Sequence, residues 1–206
     1  MAQPQGRANM PETLPEPIHR TDMQPTPDSN ARCVQIVRKA LAVVRPQFRL
    51  AYSGGVHGLP HWTRVWFHGR HLAHAVNVDP AVLAWFAFLH DSQRHNDYKD
   101  PEHGLRAADF AVQLRKQGVI TELGGSDFER LCEAMRLHSN GLTEADTALQ
   151  ACWDADRLDL GRVGITPRAD RLCTPHGRKP ETIQTALALS RRKVQRRTGR
   201  QGDETG

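Results

Sequence analysis

His90 and Asp91 directly follow nine consecutive apolar residues, 81–89. Such a segment is hydrophobic enough to be buried on every side, whereas a carboxylate is costly to bury unless it is paired or bound to a cation. Imidazole and carboxylate groups are both ligands of divalent metals. The sequence therefore predicts that a buried helix carries His90 and Asp91 to a metal ion, with Asp91 as the central anionic ligand.

Further histidines and acids fall on the apolar faces of other expected helices: His61, His103, His138 and Asp156. Asp156 follows Cys152 by four residues on the same face, whereas Asp154 points about 200° away from Asp156. A single inward histidine is typical of a core residue whose ring nitrogens have hydrogen-bond partners. Two inward acids and four inward histidines on several helices are typical of the metal sites of helical bundles.

These side chains predict a site for one or two divalent ions. Because the set combines imidazole with carboxylate and needs no cysteine, it favours Mn, Fe or Co over Mg or Zn. His103 and His138 also have structural interpretations, since they lie near a helix N-terminus and a helix C-terminus. Their roles stay open between a second metal ion, contacts with substrate phosphate and structural contacts.

Prolines, glycines and cap residues divide the chain into the helices that must position these side chains. Asp-Pro pairs at residues 79–80 and 100–101 signal the start of two helices, the second running through about Lys116. No segment alternates apolar and polar residues for long enough to predict a strand. The predicted fold class is all-α, a single helical bundle with the metal site between its helices. The other expected helices cover about residues 33–44, 61–75 and 181–197, and two more start at Ser126 and Thr143.

Composition divides the chain into three parts. Residues 1–30, rich in Pro, Gln, Asp and Asn, are predicted to be a disordered leader, residues 31–189 the helical domain, and residues 190–206 a basic tail. The formal net charge is +5, and the tail, with six Arg or Lys and two acids, carries +4 of it. This distribution indicates a solvated tail and disfavours a nucleic-acid partner.

Features of secreted and membrane proteins are missing from the sequence. No apolar run approaches the roughly 20 residues that cross a bilayer, and the first residues contain no apolar core of a signal peptide. The four cysteines are far apart and form no CxxC pair. We therefore expect a cytoplasmic protein with reduced thiols and no membrane contact. Nothing in the sequence indicates the oligomeric state.

The order His61, His90-Asp91, Asp156 resembles the H…HD…D signature of the HD-domain superfamily of metal-dependent phosphohydrolases. The segments that carry the resemblance are GLPHW, FLHDS and DADRLDL, within residues 33–165. The resemblance implies an α-helical fold, a divalent metal, and for Asp156 the ligand role of the aspartate that precedes arginine in the superfamily's ADRL segment. Some members have two more histidines between HD and the last aspartate and bind a second ion, with the HD aspartate bridging.

Candidates for substrate contacts are Arg64, Arg94, His57 and His138. Arg64 and Arg94 each lie one turn after a ligand histidine, where they would hold phosphate oxygens or form surface ion pairs. His57 lies in the loop before the first ligand and is expected to line the pocket. His138 is placed here because it would contact phosphate if it binds no metal.

Candidates for catalytic roles are Asp91, Arg94, His95 and Asp97. Asp91 is expected to act as a ligand of the metal ion. His95, Asp97 or His138 is expected to accept or return a proton. Arg157 is expected to brace an acid, as the resemblance implies. Three histidines spaced by three residues are expected to be solvated: His68, His71 and His74.

The predicted reaction is hydrolysis of a phosphate ester or anhydride, in a nucleotide or related small phosphorylated molecule, by a metal-activated water. Alarmone hydrolases carry acidic residues one turn after HD, where this chain has Arg94 and His95, so that narrower activity is disfavoured. Two alternatives stay open. One is a di-iron HD-type oxygenase, which the two extra histidines would serve, and the other is a non-catalytic ligand-binding module.

Overall fold

The computed structural model describes the backbone of residues 27–198 and the side chains of residues 28–191. Within this part of the chain the structure contains α-helices and short 3-10 turns but no strand, so the predicted all-α fold is confirmed. The α-helices are α1 Pro27–Val44, α2 Leu59–Ala75, α3 Pro80–Leu89, α4 His103–Lys116, α5 Gly125–Leu137, α6 Thr147–Leu158 and α7 Pro180–Thr198. The 3-10 turns cover Asp159–Val163 and Ala169–Arg171.

Helix α3 is the centre of the bundle. Every residue from Ala81 to Leu89 is buried, and α3 packs against α1, α2, α5 and α6. The helix begins as predicted, because the Asp79 side chain accepts a hydrogen bond from the Ala81 N–H at 2.9 Å and Pro80 occupies the first position. Burying one large apolar side chain contributes roughly 1.5–3 kcal/mol, so the six large side chains among these nine residues hold this helix firmly in the core. Its C-terminal end therefore places His90 inside the protein.

Helices α4 and α5 approach each other closely at Gly104. A Cβ atom at this position would lie 2.3 Å from the carbonyl oxygen of Met135 and 3.2 Å from the His138 ring. Only glycine leaves the space for this contact. The close packing brings His103, the first residue of α4, next to His138 at the end of α5.

Besides α1, which begins at Pro27 rather than near residue 33, three predicted helix starts differ from the observed ones. Helix α4 starts at His103 rather than near Asp100, because the Asp100 carboxylate is paired with Arg106 and accepts the His95 N–H instead of capping a helix. Helix α5 starts after Gly124 without a side-chain cap, so the capping box expected at Ser126 does not form. Helix α6 starts at Thr147 rather than Thr143, because the N-cap is Asp146, which accepts the N–H of Ala148.

Both predicted domain borders fall inside helices. Helix α1 begins at Pro27, so residues 27–30 of the expected leader are helical, while residues 1–26 lie outside the described part of the chain. Helix α7 continues past residue 190 to Thr198, and Ser190 is buried with its Oγ 2.9 Å from Asp159 Oδ1. Ser190 therefore belongs to the folded domain, and the basic side chains after residue 191 lie outside the described ones.

The four cysteines are buried and free. Burial raises the pKa of Cys33 to about 11 and that of Cys173 to about 12, so these thiols are uncharged. In the described part of the chain, no helix combines the length and apolar character needed to span a membrane.

Candidate metal centre

Two groups of histidine and aspartate side chains lie side by side at the C-terminal end of α3. The first, here called group A, consists of His61, His90 and Asp156, and its ligand atoms all lie within 4.8 Å of one another. The Nε2 atoms of His61 and His90 are 3.1 Å apart. Asp156 Oδ1 lies 3.4 Å from the His61 Nε2 atom and 3.8 Å from that of His90.

The second group, here called group B, consists of Asp91, His103 and His138. The Nε2 atoms of its two histidines are 2.8 Å apart. Asp91 Oδ1 lies 3.3 Å from the His103 Nε2 atom and 3.8 Å from that of His138. All three side chains are buried.

Asp91 stands between the two groups. Its Oδ1 atom faces group B, while its Oδ2 atom lies 3.5 Å from His61 Nε2 and 3.4 Å from His90 Nε2 in group A. The six side chains that the sequence predicted as metal ligands are therefore brought together around this one carboxylate.

Hydrogen bonds of the other ring nitrogens determine where the protons of the four histidines sit. The Nδ1 atoms of His90 and His138 lie 3.1 Å from Phe86 O and 2.7 Å from Met135 O, and that of His103 contacts Asp100 O. His61 Nδ1 lies 2.7 Å from Asp159 Oδ2. A carbonyl or carboxylate oxygen only accepts, so each Nδ1 carries the hydrogen and each neutral Nε2 presents a lone pair. Two lone pairs that face each other repel unless a cation or a proton lies between them.

The donor set of group A fits a metal ion. Asp156 Oδ1 is buried and has no hydrogen-bond partner among the described residues, although unpaired buried carboxylate oxygens are costly. It faces two imidazole lone pairs, and a divalent ion between these three atoms would satisfy all of them. These residues would hold the ion together with Asp91.

The electrostatics of the site agree with a need for positive charge. Burial acts to raise the pKa of Asp91, but the neighbouring histidines outweigh burial and hold that pKa well below its usual range. The same balance keeps the pKa of Asp156 far below normal, chiefly through its contact with His61. Burial lowers the pKa of His61, yet its carboxylate contacts prevail and raise it to about 9. Both acids are therefore charged, and without a metal a proton takes its place on His61.

Known proteins of similar structure place this site in a fold family. A crystal structure from an uncultured Thermotogales bacterium, described as a predicted HD superfamily hydrolase, has a TM-score of 0.57 to this chain at 24% identity, over 80% of this chain and 92% of that one. The chain therefore shares the fold of that protein. The fold and the histidine–aspartate cluster thus agree with the H…HD…D resemblance.

The other comparisons add nothing to this likeness of fold. A crystal structure from Lactobacillus plantarum has a TM-score of 0.49 at 21% identity, over 84% of this chain and 98% of that one. This likeness is too distant to bear on the fold. No protein-family model matches the sequence, and no curated protein matches it significantly.

Around the candidate metal ligands, an outer layer includes two residues that the sequence interpretation missed. Asp159 is fully buried and its carboxylate contacts His61 and Arg64, the latter at 2.5 and 2.9 Å. Burial acts to raise the Asp159 pKa, but the hydrogen bond with His61 and the Arg64 charge lower it to about 2. Arg162 lies 3.8 Å from Asp156 Oδ1 and donates to Val56 O. The signal for Asp159 was its position three residues after Asp156, on the same side of the helix end.

Of the four predicted substrate contacts, three lie close to the metal-ligand candidates, and Arg64 is paired with another acid. Arg64 is engaged by Asp159, so its charge already has a partner inside the protein. His57 is buried, and its Nδ1 lies 2.8 Å from Asp91 Oδ2. Arg94 is buried with Nη1 3.4 Å from Asp91 Oδ1. His57 and Arg94 are thus close to the metal ligands, as is His138 within group B.

His95 and Asp97 are exposed in the loop that follows α3. Among the described residues, neither side chain makes a hydrogen bond or an ion pair with a metal ligand. The loop turns outward after Arg94, and its backbone is held by Asp100, which accepts the His95 N–H at 2.9 Å. The structure therefore does not bring these two candidates to the centre, and their catalytic roles stay predictions.

Asp154 has a structural role that was not predicted: it is fully buried and accepts hydrogen bonds from the N–H groups of Cys173 and Thr174. Two smaller expectations are wrong. Arg157 braces no acid, because its guanidinium donates to carbonyl oxygens, including that of Leu142. His68 is buried rather than solvated, and burial lowers its pKa to about 4.

Proposed function

We propose that this protein is a metal-dependent phosphohydrolase that cleaves a phosphate ester or anhydride of a nucleotide or related small phosphorylated molecule. The observation that carries the proposal is the convergence of four imidazole lone pairs and two carboxylates in a buried cluster centred on Asp91. The HD-superfamily fold supports it, since the Thermotogales protein of that fold is described as a predicted hydrolase.

We expect the divalent ion to be held by group A together with Asp91 Oδ2. The donor set of imidazole and carboxylate, without thiolate, favours Mn, Fe or Co over Mg or Zn. When bound, such an ion lowers the pKa of a water molecule and neutralises charge that develops at phosphorus. The role of the chain is to fix the ligands, and the Nδ1 hydrogen bonds of the histidines do so.

The charge balance of the site favours an anionic substrate. Three carboxylates, Asp91, Asp156 and Asp159, are matched by three guanidinium groups, those of Arg64, Arg94 and Arg162. A bound divalent ion therefore leaves the site with net positive charge. Because phosphate carries negative charge and guanidinium groups bind its oxygens well, this environment suits a phosphorylated molecule.

Proton transfer is expected from the histidines nearest to the ligands. His57 Nδ1 lies 2.8 Å from Asp91 Oδ2, and its side chain is only 10% exposed at the edge of the cluster. His138 lies in group B with its Nε2 facing the same carboxylate. Either imidazole is therefore placed to accept or return a proton, as general acid–base catalysis requires.

A reconstitution experiment tests the function. Metal-depleted full-length protein is loaded separately with Mn, Fe, Co, Mg and Zn, and phosphate release is measured over a panel of nucleotides and simple phosphomonoesters. We expect release only with a divalent ion, and its loss in Asp91→Ala together with loss of the ion. Full metal content in Asp91→Ala, or equal release without metal, would contradict the proposal.

One observation favours a second candidate function. The chain has six residues that could serve a dinuclear centre, and the two oxygens of Asp91 face different groups. A di-iron oxygenase would use such a centre. Iron near two per chain with substrate-dependent oxygen consumption would favour it, whereas a protein that binds phosphorylated ligands without turnover would be a non-catalytic HD module.

A further inference from the structure

The guanidinium group of Arg94 enters group B. Its Nη1 atom lies 3.1 Å from His103 Nε2 and 3.4 Å from Asp91 Oδ1. These are two of the three ligand atoms of that group. A guanidinium only donates, so Nη1 supplies a hydrogen to the His103 lone pair and positive charge to the carboxylate.

Arg94 is fixed in this position by the loop that follows α3. Its Nη2 donates to the carbonyl oxygen of Tyr98 at 2.7 Å and its Nε to that of Asn96 at 3.3 Å. The side chain is only 9% exposed, and its single carboxylate neighbour is Asp91 among the described residues. Arginine stays charged at any pH that the protein tolerates, so the cation in group B is permanent.

Group A has no such internal cation. The guanidinium near it, that of Arg162, is 3.8 Å from Asp156 Oδ1, which is too far for a hydrogen bond. Asp156 Oδ1 keeps no partner among the described residues, whereas Asp91 Oδ1 in group B lies 3.4 Å from Arg94 Nη1. The two groups thus differ, since group A lacks a cation and group B already contains one.

A metal ion in group B would meet this cation at close range. An ion bound to His103 Nε2 lies about 2.1 Å from that atom. Since Nη1 is 3.1 Å from the same atom, the ion and Nη1 could be at most about 5 Å apart. Like charges at that distance repel strongly in a buried site. The ion would also displace the hydrogen bond that Arg94 donates to His103.

We propose that Arg94 takes the place of a second metal ion in group B, so that each chain holds one divalent ion, in group A. The proposal rests on the metal dependence proposed above. It leaves His103 and His138 without an ion.

Metal stoichiometry tests this proposal directly. Metal-depleted full-length protein is titrated with Mn²⁺ by calorimetry, and bound Mn is measured by elemental analysis. We expect one ion per chain in the wild type and two in Arg94→Gln. The second ion should bind at least about tenfold more tightly in that variant than in the wild type, which is the lower end of the effect that outer-layer residues have on metal affinity. Electron paramagnetic resonance should show an isolated Mn²⁺ in the wild type and a spin-coupled pair in Arg94→Gln.

Two variants serve as controls. Arg130→Gln removes the same charge from the surface, where Arg130 pairs with Asp127 and Asp146, and should keep one ion. Adding His103→Ala to Arg94→Gln should return the count to one, which assigns the gained ion to group B.

Each other outcome overturns the proposal. A wild type that binds two ions with affinities within tenfold of each other overturns it even if Arg94→Gln does not fold. So does a folded Arg94→Gln that still binds one ion, and in that case the phosphohydrolase proposal is unaffected. A wild type that binds no ion removes both this proposal and the metal-dependent function.

Discussion

The buried carboxylate of Asp159 accepts a hydrogen bond from Nδ1 of the metal-ligand candidate His61 at 2.7 Å. The same carboxylate accepts hydrogen bonds from Arg64 and Ser190, so it ties α2 and α7 to the turn after α6. A carboxylate behind a ligand histidine fixes the ring and makes its free nitrogen a stronger ligand. Asp159 is therefore a positioning residue for group A.

Asp159→Asn should weaken metal binding without removing a ligand. An amide holds the His61 ring less strongly than a carboxylate, so we expect the Mn²⁺ affinity to fall about ten- to hundredfold, measured by calorimetry. Asp170→Asn is the matched control, because Asp170 is exposed and pairs with Arg168 at the surface. Unchanged affinity in Asp159→Asn would remove Asp159 from the centre.

Asp154 and Asp156 should respond differently to the same substitution. Asp154→Asn disrupts the hydrogen bonds from Cys173 and Thr174 that anchor the segment after the second 3-10 turn. We expect it to lower stability by roughly 1–3 kcal/mol and to leave metal content unchanged. Asp156→Asn should lose most of the metal affinity. Thermal melts of the metal-free proteins measure the loss of stability, and metal analysis measures the loss of the ion. If Asp154→Asn lost its metal while Asp156→Asn kept it, this assignment would be contradicted.

The ligands could be predicted from the sequence because burial and charge conflict within short segments. An apolar run that ends in His90 and Asp91 is hard to explain except by a buried metal site. The helical spacing placed Asp156 on the inward, apolar face of α6. The burial of Asp154, on the opposite face of α6, was not predicted. Residues 172–177, far along the chain, cover the other face, and no local pattern reveals this.

Helix starts were predicted less well because polar cap residues have competing partners. Asp100 has the local signal of an N-cap, yet Arg106 and the His95 N–H occupy its carboxylate. Asp79 has the same signal and does cap its helix. The outcome depends on which donors tertiary packing brings near, and that information is absent from the dipeptide itself.

Gly104→Ala should disturb group B specifically. The added Cβ would lie 2.3 Å from Met135 O, the acceptor of the His138 Nδ1–H, so α4 and α5 must separate or tilt. We expect a loss of roughly 1–3 kcal/mol of stability, typical of overpacking, and reduced substrate turnover with one ion still bound. Gly118→Ala is unsuitable as a control because of its positive φ, whereas Gly124→Ala has open space and should have little effect. Wild-type turnover in Gly104→Ala would show that the spacing of His103 and His138 is unimportant.

The pH dependence of stability should reverse when metal binds. In the metal-free protein the pKa of His61 is raised from 6.5 to about 9, because its hydrogen bonds to carboxylates outweigh burial. The native state then binds more protons than the unfolded state between these values, so this contribution is complete below about pH 6.5 and is lost as pH rises to about 9. Burial acts to lower the pKa of His138, but the nearby carboxylates of Asp91 and Asp156 outweigh it and raise that pKa, so His138 acts in the same direction.

Metal binding instead requires the deprotonated Nε2 of His61, so Mn²⁺ affinity should increase with pH up to about 9. We therefore expect the melting temperature of the metal-free protein to fall between pH 7 and 9, while the added stability from saturating Mn²⁺ grows over the same range. The measurement is a set of thermal melts with and without Mn²⁺ in buffers of equal ionic strength. His71→Ala is the control, since His71 is exposed and outside both groups. A metal-free melting temperature that rises from pH 7 to 9 would contradict the proposed proton on His61 in the absence of metal.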